Sequence, residues 1–385
     1  MTDTIIRYAN GHVVTPGGTW PGATITVDAD GRIAGIAPLP RDAGAGAIDL
    51  AGGWIMPGFI DTQVNGGGGV LFNDAVDVDG IAAIAAAHRP YGTTALLPTL
   101  ISDTLEKVAA ALDAAEAAIA AGIAGIVGTH IEGPFLNPAK KGIHNPAMFR
   151  RLDAATIALL TRPRRGRVLL TLAPELCDPR DIATLAAAGV RVAAGHSDSD
   201  YDTAMAAFAA GASGVTHLYN AMTPLGHRAP GLTGAAFDWG RAWCGLIADG
   251  VHVHPAALRL ATRLLPADRA MLVTDAMPSV GAAQKDFTLY GQPIHVADGV
   301  CRGADGTLAG SDLDMAQAVA NMVQLIGTAP QAAAAMAATN PAAFLGLSHE
   351  RGMLAPGLRA DWVWLDAGFR ARGTWIGGEQ VAGGE

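Results

Sequence analysis

The chain has 385 residues, half of them apolar and only 5% aromatic, enough to bury one large core and a smaller second one. Its formal net charge of −9 argues against a nucleic-acid surface, which would need clustered Lys and Arg. Cys177, Cys244 and Cys301 are widely spaced and form no CxxC pair, which argues against a disulfide framework or a thiolate metal site and fits a reducing compartment.

The N-terminus, "MTDTIIRYANGHVV", lacks a basic segment followed by a long apolar run, so no signal peptide is expected. The first fifty or so residues alternate short apolar stretches with Gly, Pro and Asp, and "DADG" at 28–31 is a hairpin turn with Gly31 free to take positive φ. The last thirty or so residues have the same character. The two ends, 1–56 and 352–385, are therefore expected to combine into one small β-sandwich domain.

Between them, 57–351 alternates short apolar runs with helical segments. Candidate strands are 54–63, 94–100, 125–132, 167–174, 190–196, 214–219, 243–249 and 269–275. Such runs suit parallel strands covered on both faces. Helix punctuation lies between them. Asp103 and Glu106 stand at capping-box spacing before a segment ending at Gly122. Asp178–Pro179 opens a helix that stops before Gly189, and a late helix closes at Gly327. The expected fold is α/β, a (β/α)₈ TIM-like barrel. Residues 286–311 interrupt the alternation and read as two or three short strands with Gly turns near the active end. The Ala-rich runs are broken by charged residues or His before they could span a bilayer, so a cytoplasmic protein with no membrane partner is expected.

Active sites of such barrels lie at the C-terminal strand ends. Gln63 and Asn65, Glu132, His196, His217, Asp249 with His252, and Asp275 all fall there. One carboxylate and two neutral imidazoles suit Zn²⁺ or a similar divalent ion with a position left for water. Such an ion brings a water toward neutral pKa, and Asp275 would carry the proton. His130 precedes Glu132 by two on the same strand face, as a further ligand, an orienting group or core packing.

Several stretches carry a resemblance: "PGFIDTQVNGGGG", "HIEGPFLNPAKKGIHNP", "AGHSDSDYDTAMAAFAAGASGVTHLYNAM", "APGLTGAAF", "GLIADGVHVHP", "LVTDAM" and "DGTLAGS". In this order they resemble the N-acetylglucosamine-6-phosphate deacetylase branch of the amidohydrolase superfamily over nearly the whole chain. The resemblance implies Glu132, His196 and His217 as metal ligands and Asp275 as general base and acid. It implies His144 as the group polarising the scissile carbonyl, and Asn220, Ala221, Arg228 and His252, with His144, as substrate contacts. It also implies a homodimer in which Arg228 reaches the neighbouring site. The implied reaction is hydrolysis of the acetamide of N-acetyl-D-glucosamine 6-phosphate to glucosamine 6-phosphate and acetate by water activated at the metal. Alternatives are a deacetylase of the epimeric N-acetylgalactosamine 6-phosphate, or a catalytically dead scaffold.

Gln63 and Asn65 occupy the spacing at which many amidohydrolases carry His-x-His. Neutral amides are poor ligands, so one divalent metal per subunit is expected, Zn²⁺ first, with Fe²⁺, Co²⁺ and Mn²⁺ able to share such ligands. Gln63 would then hold the nucleophilic water or its surroundings. No Lys-Ser or Lys-Thr follows the four glycines at 66–69, so they are no phosphate loop. They are expected to let backbone pass close to sugar and metal.

Overall fold

A computed structural model describes residues 3–40 and 46–383. Its centre is an eight-stranded parallel sheet in sequence order, formed by Phe59–Val64 (β1), Thr93–Ile101 (β2), Gly128–Glu132 (β3), Arg167–Leu172 (β4), Arg191–Ala194 (β5), Gly214–Val215 (β6), Trp243–Leu246 (β7) and Ala270–Leu272 (β8). β8 returns to β1 just beyond its end: Val64 bridges Ala276 in parallel, and the Asp275 N–H donates to the Gln63 carbonyl at 3.0 Å. The expected (β/α)₈ barrel is therefore the observed fold, closed at its C-terminal rim.

The expected strand 54–63 is divided. Trp54–Pro57 leaves the barrel and pairs antiparallel with Trp362–Leu365, and only from Phe59 does the chain enter the barrel. Gly58 sits between the two because a Cβ there would lie 2.4 Å from Thr94 Cγ2. An apolar run carries no mark of which sheet claims each half.

Helix ends follow local chemistry. Asp178 caps Pro179–Ala187, and Asp314 caps Met315–Asn321, whose continuation stops at Gly327 in the left-handed region. The helix Leu105–Ala120 is capped by Thr104, one residue later than expected: the Thr104 side chain accepts from Lys107 N. Asp103 is drawn instead to Asn73 and Lys107, at 3.1 and 3.0 Å. At the N-terminal end of the barrel, Phe344 packs with Ile60, Leu97, Leu169 and Met271 and plugs the interior.

The small domain is a sandwich of two sheets. One holds Ile33–Pro38, Ala23–Val27, Thr4–Ala9 and Ile48–Asp49. The other holds Glu379–Gly383, Ala371–Ile376, Trp362–Leu365, Trp54–Pro57, His12–Thr15 and Gly18–Trp20. Tyr8, Ile25, Ile33, Ile55, Trp362 and Trp375 fill the space between them, and the Trp362 indole donates to the Tyr8 hydroxyl at 3.0 Å. The turn at 28–31 joins two antiparallel strands as expected, with Gly31 at φ 70.

The insertion after β8 forms four strands rather than two or three: Phe287–Leu289, Gln292–Ala297, Val300–Gly303 and Leu308–Ser311. It packs on Leu71, Ile101 and Met277 at the C-terminal rim through Leu289, Ile294, Cys301 and Ala309. The glycine run also departs from expectation. Gly66–Gly67 pair with Val70–Leu71 as a small hairpin seated on His88 and Pro278, and a Cβ on Gly67 would lie 2.8 Å from His88 Nε2. These glycines admit neighbouring protein rather than line the cavity.

Candidate metal centre

Glu132 ends β3, and His196 and His217 follow β5 and β6 by two residues. At those points the chain must turn its side chains inward over the barrel mouth. It does so with non-glycine residues in the left-handed region: His196 at φ 47, His217 at φ 32 and Asp275 at φ 54. Each such residue costs about 1–3 kcal/mol, and backbone bonds hold it there. The neighbouring Ser197 N–H donates to the Ala221 carbonyl at 3.1 Å, and the Leu218 N–H to the Gly245 carbonyl at 2.8 Å.

The three side chains meet tightly. His196 Nε2 and His217 Nε2 lie 3.2 and 3.1 Å from Glu132 Oε1 and 3.0 Å from each other. The His196 Nδ1 atom faces the Lys140 carbonyl at 2.8 Å. A carbonyl only accepts, so Nδ1 carries the hydrogen and Nε2 presents a lone pair to the cluster. Burial alone would raise the Glu132 carboxyl, but the two imidazoles hold it well below the ordinary range. Burial would lower His217, and its bond to Glu132 outweighs this and raises it. Glu132, His196 and His217 are buried with ligating atoms within 4.8 Å of one another, a donor set that fits a divalent ion.

Asp275 follows β8, 212 positions from Gln63 in the chain but in contact with it. Gln63 Nε2 donates to Asp275 Oδ1 at 3.1 Å and to both Glu132 oxygens at 3.1 and 3.2 Å. Asn65 Nδ2 donates to the same Asp275 oxygen at 2.7 Å. Gln63 therefore ties the two carboxylates together while Asn65 holds Asp275 alone, and Asp275 Oδ2 has no protein partner among the described residues. Burial and the nearby Glu132 charge push Asp275 up to about 6. His130 is engaged on both sides, by Thr171 at 2.8 Å and Thr99 at 3.3 Å, and burial lowers it to about 4. It is a neutral interior group outside the ligand cluster.

A cavity of about 370 Å³ opens above these groups, lined by Asn65, Glu132, His144, His196, His217 and Asp275, and further out by Asn220, Ala221 and His252. His144 is buried, and burial, together with the neighbouring His196, lowers it to about 3. His252 Nδ1 donates to Asp249 Oδ2 at 2.6 Å. Neighbouring His254 instead caps the helix Pro255–Leu264 from an exposed position. Arg228 is not brought to this cavity: it is exposed on the 224–230 loop and borders a separate groove with Asp198 and Tyr201.

Two groups escaped the sequence reading. Ile247, Ile143 and Met277 give the cavity apolar walls. Asp61, two residues before Gln63 on β1, is fully buried and accepts from the Thr274 hydroxyl at 2.5 Å and the Gln63 N–H at 3.1 Å. A lone Asp inside an apolar run was the available signal. Desolvation pushes its carboxyl up to about 7.

The amidohydrolase family model matches residues 54–381. An N-acetylgalactosamine-6-phosphate deacetylase of Shewanella sp. (strain ANA-3) is 41% identical over 330 residues, covering 86% of this chain and 84% of that one. An N-acetylglucosamine-6-phosphate deacetylase of Bos taurus is 39% identical over 353 residues, with 86% and 84% covered. A crystal structure of N-acetylglucosamine-6-phosphate deacetylase from Pasteurella multocida superimposes with a TM-score of 0.92 at 32% identity, covering 98% of this chain and 99% of that one. The chain belongs to the amidohydrolase family.

Two outcomes follow from the geometry. Glu132→Gln keeps the shape but removes the charge, and should abolish stoichiometric metal retention measured by elemental analysis after dialysis. Gln63→Leu, which loosens Glu132 without touching the ion, should weaken retention roughly tenfold. Asp61 gives a pH signature in the metal-stripped protein. Its folded pKa of about 7 lies above the ordinary 3.8, so the folded state holds the proton more tightly. The associated stability is fully present below about pH 4 and is lost as pH rises through 7. Denaturant titrations should show the wild type losing on the order of 4 kcal/mol or less across that window relative to Asp61→Asn. A flat difference would contradict the buried protonated carboxyl.

Proposed function

We propose that this member of the amidohydrolase family hydrolyses the acetamide of N-acetyl-D-glucosamine 6-phosphate, releasing acetate and D-glucosamine 6-phosphate. The observation that carries this reading is the joint presence, in one cavity, of the Glu132–His196–His217 cluster, a partly unengaged Asp275 and His144. The named activities of the relatives support the substrate class. The epimeric N-acetylgalactosamine 6-phosphate is the second reading, favoured by the Shewanella relative at 41% identity. A dead scaffold has no need to keep this set of buried ionisable groups together, since each costs stability.

One divalent ion per subunit, Zn²⁺ first among the candidates, would sit on Glu132, His196 and His217, where it lowers the pKa of water and polarises a carbonyl oxygen. Asp275, anchored through Oδ1 by Gln63 and Asn65, offers Oδ2 to the proton of the attacking water. His144 faces the acetyl oxygen and stabilises the charge that develops there. The same Asp275 oxygen then returns the proton to the amide nitrogen as the C–N bond breaks. An Asp held near 6 suits both steps. His252, Asn220 and Ala221 line the outer cavity toward the sugar phosphate. Arg228 is exposed and does not line its own cavity, as a homodimer in which it completes the phosphate site of the partner subunit requires.

Acetate release from the two epimeric sugar phosphates, with Zn²⁺ added, tests the reading. Asp275→Asn should lower kcat by about 10²–10⁴-fold with metal content retained. Turnover of neither sugar by metal-loaded wild type would remove the deacetylase assignment. The shared site has its own test. Arg228→Ala and Asp275→Asn are each expected to be impaired, and mixed, re-associated subunits should recover activity. One site then combines an intact Asp275 with the neighbour's intact Arg228. No recovery in verified heterodimers would place Arg228 in its own subunit's site.

A further inference from the structure

His144 and His196 stand side by side at the cavity, their ring centroids 4.5 Å apart, yet only His196 belongs to the ligand cluster. The difference lies behind the rings. The His196 Nδ1 atom faces a carbonyl, that of Lys140. The His144 Nδ1 atom instead receives the backbone N–H of Ser102 at 3.3 Å and lies 2.8 Å from the Ser102 hydroxyl. A backbone amide has a hydrogen and no lone pair to offer. Hydrogen on His144 Nδ1 would set N–H against N–H in a buried site, so Nδ1 is the acceptor. The hydrogen of the neutral ring is then on Nε2, which has no protein partner among the described residues while the ring borders the cavity.

We propose that Ser102, held in place by Tyr290 of the inserted sheet, is a positioning residue that locks His144 as its Nε2–H tautomer. The ring is thereby a hydrogen-bond donor to the cavity and is barred from ligating an ion there. Two adjacent histidines take opposite tautomers because one is backed by a backbone carbonyl and the other by a backbone amide.

The surroundings of Ser102 fit this task. It directly follows β2, is 1% exposed, and lies at the C-terminal rim with the other site groups. Its hydroxyl is also 3.4 Å from the Glu132 carbonyl, and its own carbonyl accepts from the Tyr290 hydroxyl at 2.8 Å. Tyr290 stands in the turn between Phe287–Leu289 and Gln292–Ala297, at φ 51. A Cβ on Gly133 would lie 2.3 Å from Ser102 Oγ, so the chain leaves room for the hydroxyl. The inserted sheet thus reaches His144 through one tyrosine and one serine.

The use of the donor on an acetyl carbonyl rests on the deacetylase reading, but the tautomer does not. Long-range ¹H–¹⁵N spectra of metal-loaded protein labelled at histidine, with His144→Gln as the assignment control, read it directly. Near neutral pH the expected pattern is Nε2–H for His144 and Nδ1–H for His196. An Nδ1–H or imidazolium signal for His144 overturns the inference, even if acetate is released. An Nε2–H signal in a protein that turns over neither sugar leaves the inference standing and removes the reaction assigned to it. Ser102→Ala retains the amide but loses the hydroxyl, and should mix the two His144 tautomers and lower kcat about tenfold with KM and metal content unchanged. Tyr290→Phe, at a half-buried position, should move both readouts in the same direction by less. Variants that fold and change neither the spectrum nor kcat would reduce Ser102 and Tyr290 to packing.

Discussion

The bond from the Asp275 N–H to the Gln63 carbonyl joins the last barrel strand to the first. It closes the cylinder and, in the same stroke, sets the candidate proton carrier against the two amides of β1. Asp61 reinforces the seam one layer deeper by accepting from Thr274. Without this closure Gln63 could not touch Glu132 and Asp275 together, because those residues belong to strands on either side of β1 in the closed cylinder. Barrel closure and site assembly are therefore one event.

The rest of the site is held at a cost that the core offsets. His196, His217 and Asp275 all take left-handed backbone, at about 1–3 kcal/mol each, and the cluster they point into is buried among ionisable groups. Strand ends anchored by ladders on both sides can hold such conformations, whereas free loops would relax. A continuous apolar layer from Val64 and Leu100 through Leu170, Leu246 and Val319 supports the ladders. The Phe344 plug supports them from below.

Electrostatics gives the groups different parts. Glu132 is held ionised by two imidazoles, Asp275 is raised, and Asp61 is raised further, chiefly by burial. Three carboxyls of the same cylinder thus span a wide range of acidity. The neutral amides are central to this, since Gln63 bridges Glu132 and Asp275 and Asn65 anchors Asp275 without adding charge. Histidines at those two positions would extend the ligand set instead, which is the physical content of the amide pair seen in the sequence.

Residue types and their spacing determined the barrel, the composite small domain, most helix ends and the gathering of Glu132, His196, His217 and Asp275 at one rim. Those features follow from hydrophobic period, caps and strand-end position, which are local properties of a chain. The tertiary structure decided the rest. It divided residues 54–64 between two sheets, moved a helix cap from Asp103 to Thr104, and seated the glycine run on His88 rather than at the cavity. It also made Gln63 a bridge between carboxylates, left Arg228 outside its own cavity, and brought Ser102 and Tyr290 behind His144. Each of these depends on which atoms meet across strands and an inserted sheet far apart in sequence. That register is fixed only when the cylinder closes, so no local pattern encodes it.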